Sequence, residues 1–296
     1  MDACQLPPFL QPDDQVWITM PSGTLREQDG FEQGLAVLRS YPYPLYLSSN
    51  INDQWGYLAG TDQQRRLDLL SGLKGDYQAI FCGRGGYGGA RLLEEWHWPP
   101  TLAKWVVGFS DVTALLWGLA AQGIASIHGP VITTLAQEPA WSQQRLFDWL
   151  AGRPIAPLSG EGWGQGTTAG ILLPGNLTVA THLLGTPLVP DMQHVILALE
   201  DVGEAPYRID RMLTQWRLSG VLNKVKGIAL GQFSHCEAPA EIPSLTVEEV
   251  LRDRLGDLGI PIVSNLPFGH EPPNAALPVG VPAQLDSDQG VLTIPR

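Results

Sequence analysis

Short apolar runs alternate with segments of helical spacing along the first half of the chain, and no other feature narrows the fold as far. Gln15-Val16-Trp17-Ile18-Thr19-Met20 predicts a strand, and Phe31 to Ser40 carries Phe31, Leu35, Val37 and Leu38 at helical intervals. Pro44-Leu45-Tyr46-Leu47 predicts the next strand, and Asp62 to Leu73 a helix with Leu67, Leu69, Leu70 and Leu73 inward. The same pairing recurs twice: Tyr77-Gln78-Ala79-Ile80-Phe81-Cys82 before a helix over Ala90 to Trp96, then Trp105-Val106-Val107-Gly108-Phe109 before a helix over Val112 to Ala121. Strands that alternate with helices imply an α/β fold whose sheet is mostly parallel and flanked by helices.

Composition changes after about residue 150. Residues 152–169 are rich in Gly, Pro, Ser and Thr and read as a linker. The expected organisation is an N-terminal α/β domain over 1–151 and a smaller C-terminal α/β domain over 170–296. In the second block Val195–Leu199, Gly227–Gly231 and Ile260–Val263 predict strands, and Tyr207–Leu218 and Thr246–Leu255 helices. Ala283 to Ile294 predicts a hairpin turning at Asp288-Gln289-Gly290. Two domains suit 296 residues, and 44% hydrophobic residues are ample for their cores.

Charge excludes some partners. Eighteen Lys and Arg against 30 Asp and Glu leave a net charge of −12, which argues against nucleic acid and against an anionic membrane surface. Cys4, Cys82 and Cys236 show no pairing or C-x-x-C spacing, as in a reducing compartment. The first residues have no basic stretch followed by an apolar run, so a secretory leader is not expected. A cytoplasmic protein is expected.

Four segments carry chemistry. In Val107-Gly108-Phe109-Ser110-Asp111-Val112-Thr113 an apolar strand ends, a serine follows and a helix begins at once. This is the mechanics of a nucleophile elbow, although Val112 replaces the last glycine of G-x-S-x-G. A helix N-cap is the competing reading of Ser110 or Asp111. Cys82-Gly83-Arg84-Gly85-Gly86-Tyr87-Gly88-Gly89 holds five glycines in residues 83–89, so its backbone can turn N–H groups toward a phosphate or a tetrahedral intermediate. A dinucleotide is poorly supported, because no acid stands about 20 residues on at the end of a second strand. Glu200 closes an apolar strand, where a carboxylate needs a partner; Arg208 and Arg211 are alternatives to a catalytic one. His270 lies in the proline loop Gly269-His270-Glu271-Pro272-Pro273, with His128 as competitor. His235-Cys236 raises a cysteine nucleophile but offers no third partner. Serine, glutamate and histidine each follow a predicted strand, at the edge where open α/β sheets place their sites, and in a known triad order.

The strings Arg84-Gly85-Gly86-Tyr87-Gly88, Gly108-Phe109-Ser110-Asp111-Val112-Thr113-Ala114-Leu115-Leu116, Gly175-Asn176-Leu177-Thr178, Leu199-Glu200-Asp201, Tyr207-Arg208-Ile209-Asp210-Arg211-Met212-Leu213 and Gly269-His270 resemble the LD-carboxypeptidase family, in order, from about Trp17 to Leu285. That family includes muramoyltetrapeptide carboxypeptidases and microcin C immunity peptidases. The chain departs from it at Pro174-Gly175, where the family has paired glycines. The resemblance implies a serine peptidase with Ser110, Glu200 and His270 as triad and the backbone N–H groups of Gly86 and Asp111 as oxyanion hole, with Gly85 shaping the loop. It implies a cleft between two α/β domains, a cytoplasmic homodimer, no metal and no cofactor. The substrate it implies is a murein tetrapeptide that loses its terminal D-Ala. Arg84, by charge and position, is the candidate reader of the substrate carboxylate, against a structural salt bridge. The alternatives are an immunity-type peptidase that cuts a peptidyl-nucleotide amide, with Trp163 as a base-stacking ring, and a non-catalytic small-ligand binder.

Overall fold

The computed structural model describes residues 1–94, 96–99 and 104–295. Its first sheet contains β1 (Val16–Thr19), β2 (Leu45–Leu47), β3 (Ala79–Cys82), β4 (Trp105–Gly108) and β5 (Ser126–His128). All five run parallel, in the order β2-β1-β3-β4-β5. Every residue of β3 and β4 is buried, as a parallel strand covered on both faces requires. Helices α1 (Gln28–Arg39), α2 (Asp62–Lys74), α3 (Gly89–Leu92) and α4 (Thr113–Ala121) alternate with these strands, and α5 (Ile132–Leu135) and α6 (Ala140–Leu150) follow. The order reverses between β1 and β3, and such a switch point opens a crevice at the carboxyl ends of the strands.

Two local expectations change. Leu67 is 58% exposed, while Arg65, Asp68, Leu69, Gly72 and Leu73 face inward. A step of two residues turns a helix by about 200°, so Leu67 and Leu69 cannot share a face. The helix expected over Ala90–Trp96 is the single turn α3, and position 95 lies outside the described residues.

The second sheet contains β6 (Leu158–Ser159), β7 (Glu161–Gly162), β8 (Thr167–Asn176), β9 (Val195–Val202), β10 (Gly227–Ser234) and β11 (Ile262–Ser264). The strand β12 (Leu277–Val279) returns to the first sheet and pairs antiparallel with β5. A hairpin, β13 (Val281–Asp286) and β14 (Val291–Thr293), completes the second sheet and turns where the sequence predicts. Its order is β6-β14-β13-β8-β9-β10-β11-β7, with β8 to β11 parallel. Helices α7 (Leu177–Leu183), α8 (Pro206–Leu218) and α9 (Val247–Leu255) pack on it.

The segment 152–169 is therefore not a linker throughout. β6, β7 and the start of β8 lie within it. The glycines that suggested a linker serve close backbone packing: a Cβ on Gly162 would fall 1.9 Å from the Ser287 carbonyl oxygen. Among the ties that hold the two sheets together are β12, Trp117 Nε1, which donates to the Pro174 carbonyl at 2.8 Å, and the Asn176 backbone N–H, which donates to Thr113 Oγ1 at 3.0 Å. No described helix is long and apolar enough to cross a membrane.

Candidate active site

Ser110 sits between β4 and α4 with φ +61°, a left-handed conformation that a non-glycine residue rarely adopts. An N-cap serine has extended backbone angles and accepts a hydrogen bond from the helix it caps. Ser110 does neither: its hydroxyl donates to His270 Nε2 at 2.9 Å. This strained strand-to-helix turn projects Oγ from the sheet edge.

His270 reaches the serine from the loop after β11. Its Nδ1–H donates to Glu200 Oε2 at 2.6 Å, and that contact assigns the tautomer that leaves Nε2 free to accept. The loop is braced on both flanks. Asn274 Oδ1 accepts the Gly269 N–H at 3.1 Å, and Glu138 accepts the Asn274 N–H at 2.7 Å. Gln232 Oε1 accepts the Glu271 N–H at 3.2 Å. Phe109 packs against the imidazole, with ring centroids 4.8 Å apart.

Glu200 lies two residues before the end of β9 and is wholly buried. It pairs with neither Arg208 nor Arg211 of α8. Its second oxygen accepts from Asn176 Nδ2 at 3.3 Å. Asp201 beside it accepts from Thr178 N and Oγ1 at 2.9 and 2.8 Å and from Asn176 Nδ2 at 3.0 Å. Burial still lifts the Asp201 carboxyl above the usual range. At His270 burial works to lower the pKa, but the charge and hydrogen bond of Glu200, with Asp201 behind it, leave it above the ordinary histidine value.

His128 is fully buried with no hydrogen-bond partner at either ring nitrogen among the described residues, and burial holds its pKa down to about 4. It packs edge-on against Phe109 and Phe268 and does not reach Ser110. Cys236 is fully buried with its thiol pushed up to about 11, and His235 turns away to Glu271 at 3.2 Å. Neither residue takes part in the serine cluster.

The glycine-rich loop runs beside the serine. A Cβ on Gly85 would come within 3.0 Å of Ser110 Cβ and 3.2 Å of Oγ, so only glycine fits there without displacing the hydroxyl. Gly86 adopts φ +112° and its N–H has no acceptor among the described residues. The Asp111 N–H opens the helical turn after Ser110, where amides lack intrahelical acceptors. The Asp111 carboxylate anchors the other end of the loop by accepting the Gly89 N–H at 2.7 Å. Buried Arg65 donates to the Gly88 carbonyl at 2.9 Å, to the Pro21 carbonyl and to the Asp62 carboxylate. Arg65 lies outside every motif, and Asn176, Thr178 and Asp201 fall within the family strings without an assigned role, because a supporting role depends on contacts between distant segments.

A cavity of about 200 Å³ opens over the serine. Ser110, His270, Gly85, Gly86, Thr133 and Gln137 line it, together with the ion pair Arg84–Glu27. Arg84 Nε and Nη2 donate to the two Glu27 oxygens at 2.7 and 3.2 Å, and this pairing lowers the Glu27 pKa. Glu27 is absent from the sequence reading because it lies outside every motif. Trp163 lies elsewhere: its Nε1 donates to Ser264 Oγ at 2.9 Å, the Arg252 guanidinium covers its ring at 4.6 Å, and its groove contains none of Ser110, Glu200 or His270. Among the described residues no group of three or more His, Cys, Asp or Glu is placed to hold a metal ion.

Comparison with known proteins agrees along most of the chain. The LD-carboxypeptidase N-terminal domain matches residues 16–129 and the C-terminal domain residues 169–285. A protein of Synechocystis sp. that carries a carboxypeptidase name without a substrate is 58% identical over 96% of this chain and 95% of its own. The murein tetrapeptide carboxypeptidase of Pseudomonas aeruginosa is 31% identical over 94% of each chain. Among solved structures, muramoyltetrapeptide carboxypeptidase from Oxalobacter formigenes aligns with a TM-score of 0.84 at 29% identity, covering 94% of this chain and 97% of its own. MccF in complex with glutamyl sulfamoyl guanosine aligns at 0.86, covering 99% and 98%, but at 21% identity it speaks for the fold alone. The chain belongs to the LD-carboxypeptidase family.

Proposed function

We propose that the chain is a serine carboxypeptidase that removes terminal D-Ala from murein tetrapeptides by cutting an L,D amide bond. The observation that carries this reading is the hydrogen-bonded series Ser110 Oγ, His270 Nε2, His270 Nδ1, Glu200 Oε2, at 2.9 and 2.6 Å, beside the Gly86 amide. A hydroxyl needs an adjacent base to become a nucleophile, and the base needs an orienting acid. The murein substrate is supported by the names of the Pseudomonas and Oxalobacter relatives.

His270 takes the hydroxyl proton as Ser110 Oγ attacks the carbonyl carbon of the penultimate residue. The oxyanion accepts from the Gly86 and Asp111 N–H groups; one such donor typically lowers the barrier by about 3 kcal/mol. His270 then gives its proton to the departing amine of D-Ala as the C–N bond breaks. Water, with His270 again as base, hydrolyses the ester on Ser110. Arg84, the only arginine or lysine among the described residues lining the serine cavity, reads the substrate's terminal carboxylate by exchanging part of its pairing with Glu27. On this reading the protein works without a cofactor, as a cytoplasmic homodimer.

The test offers the purified protein two substrates side by side: a murein tetrapeptide, and an aminoacyl-sulfamoyl nucleotide. Release of D-Ala, measured with D-amino acid oxidase, is expected from the first. Cleavage of the nucleotide alone would replace the murein reading with the immunity-type one, and cleavage of neither would sink both.

A further inference from the structure

Three large aromatic side chains stand exposed on the glycine-rich loop that runs past the serine and on the hairpin packed against that loop. Trp55, Tyr57 and Tyr87 are 53%, 55% and 54% exposed, in a chain that buries most of its large apolar residues. The cluster is built rather than incidental. Trp55 and Leu58 exchange backbone hydrogen bonds at 2.9 and 3.1 Å, which fixes a tight hairpin with Tyr57 near its tip. The Tyr57 carbonyl accepts the Thr24 N–H at 3.1 Å. The Tyr57 and Tyr87 rings meet edge to face at 5.6 Å. Arg91, held by both oxygens of Asp62, lies 5.9 Å from the Trp55 ring centre. Exposed aromatic faces held rigidly at the edge of a pocket lose little entropy when a ligand ring settles on them.

We propose that Trp55, Tyr57 and Tyr87 form a stacking platform for the saccharide ring that a muramoyl peptide carries at its far end. The inference rests on the serine carboxypeptidase reading. Reach supports it. Gly85 touches Ser110, and Tyr87 follows two residues later, so its Cα lies within about 12 Å of Ser110 Oγ. The three peptide residues between the scissile bond and the sugar span about 10 Å when extended. Charge separates a sugar from a phosphorylated nucleotide. The arginines next to the platform are already engaged: Arg65 and Arg91 pair with Asp62, and Arg84 is taken up by the terminal carboxylate at the other end of the peptide, so none stands ready for a phosphate. Asp53, Gln54 and Gln64 on the same loop and helix add no cation there.

The experiment measures kcat/KM for N-acetylmuramoyl tetrapeptide and for the free tetrapeptide, with wild type, with the double variant Trp55→Ala/Tyr57→Ala, and with Trp55→Phe/Tyr57→Phe. Wild type is expected to prefer the sugar-bearing substrate about tenfold, through KM. The alanine pair should bring the ratio to within about twofold of one, and the phenylalanine pair should keep most of it. No preference in wild type, or a preference that survives the alanine pair, overturns the proposal. Calorimetry of N-acetylmuramoyl tetrapeptide on Ser110→Ala protein supplies a readout independent of turnover. If wild type cleaves neither substrate, the carboxypeptidase reading falls. The platform then stands if the two alanines weaken this binding about tenfold, and falls if they leave it unchanged or if nothing binds.

Discussion

Replacing Glu200 by Gln removes one charge and almost no volume from a fully buried position. In the wild type that carboxylate receives the His270 Nδ1–H at 2.6 Å. In the proposed mechanism the imidazole becomes a cation as Ser110 attacks, and the carboxylate opposes it directly. Two unit charges about 4 Å apart at an effective dielectric near 20 attract by about 4 kcal/mol, so the neutral amide forfeits about three decades of rate. The amide can also turn its NH₂ toward Nδ1 and favour the tautomer with Nε2 protonated, which blocks the base; together the effects amount to three to four decades in kcat. The assay is D-Ala release from murein tetrapeptide under saturating conditions, paired with an NMR titration of the imidazole. Burial, the largest influence on His270, is then opposed only by the weaker charge effect of Asp201, so its pKa should drop below the ordinary histidine value instead of lying above it. Activity within tenfold of wild type, or an imidazole that still titrates high, would refute the assigned role of Glu200.

Three further outcomes follow from the same geometry. Ser110 pays a left-handed backbone cost that glycine escapes, so Ser110→Gly should be more stable than Ser110→Ala by about 1 kcal/mol, read as a higher thermal midpoint, with both inactive. The raised His270 pKa contributes stability that is complete below the unfolded value near 6.5 and lost as pH rises through the higher native value. The wild-type midpoint should fall across that window while kcat/KM climbs, and the slope should flatten in His270→Ala. Finally, Arg84→Ala should raise KM for the tetrapeptide more than tenfold yet change little for a C-terminally amidated one; an equal effect on both would make the Arg84–Glu27 pair purely structural.

Much of this molecule is readable from local pattern. The βα alternation of residues 15–121, the terminal hairpin and the strand ends that hold Ser110, Glu200 and His270 all follow from period, capping and burial cost. What stayed hidden depends on segments far apart in the chain. Gly160 and Gly162 look like linker residues until Ser264 and Ser287 are seen pressed against them. β12 leaves the second half of the chain to complete the first sheet, a pairing no local signal encodes. Asn176, Thr178 and Asp201 look like ordinary polar residues, yet Asn176 bonds Glu200 and, with Thr178, fixes Asp201 beside it, because β8 and β9 pair with Asn176 opposite Glu200. Ser110 was ambiguous in sequence because an N-cap and an elbow share the same residue types; its positive φ and its bond to His270 separate the two.

The central claim is that Ser110 is the nucleophile of a carboxypeptidase acting on murein tetrapeptide. Its most direct test is mass spectrometry of that peptide after incubation with wild type and with Ser110→Ala. Loss of one alanine with wild type and none with the variant is the expected result. Equal loss with both proteins would contradict the account, and so would an intact peptide with wild type.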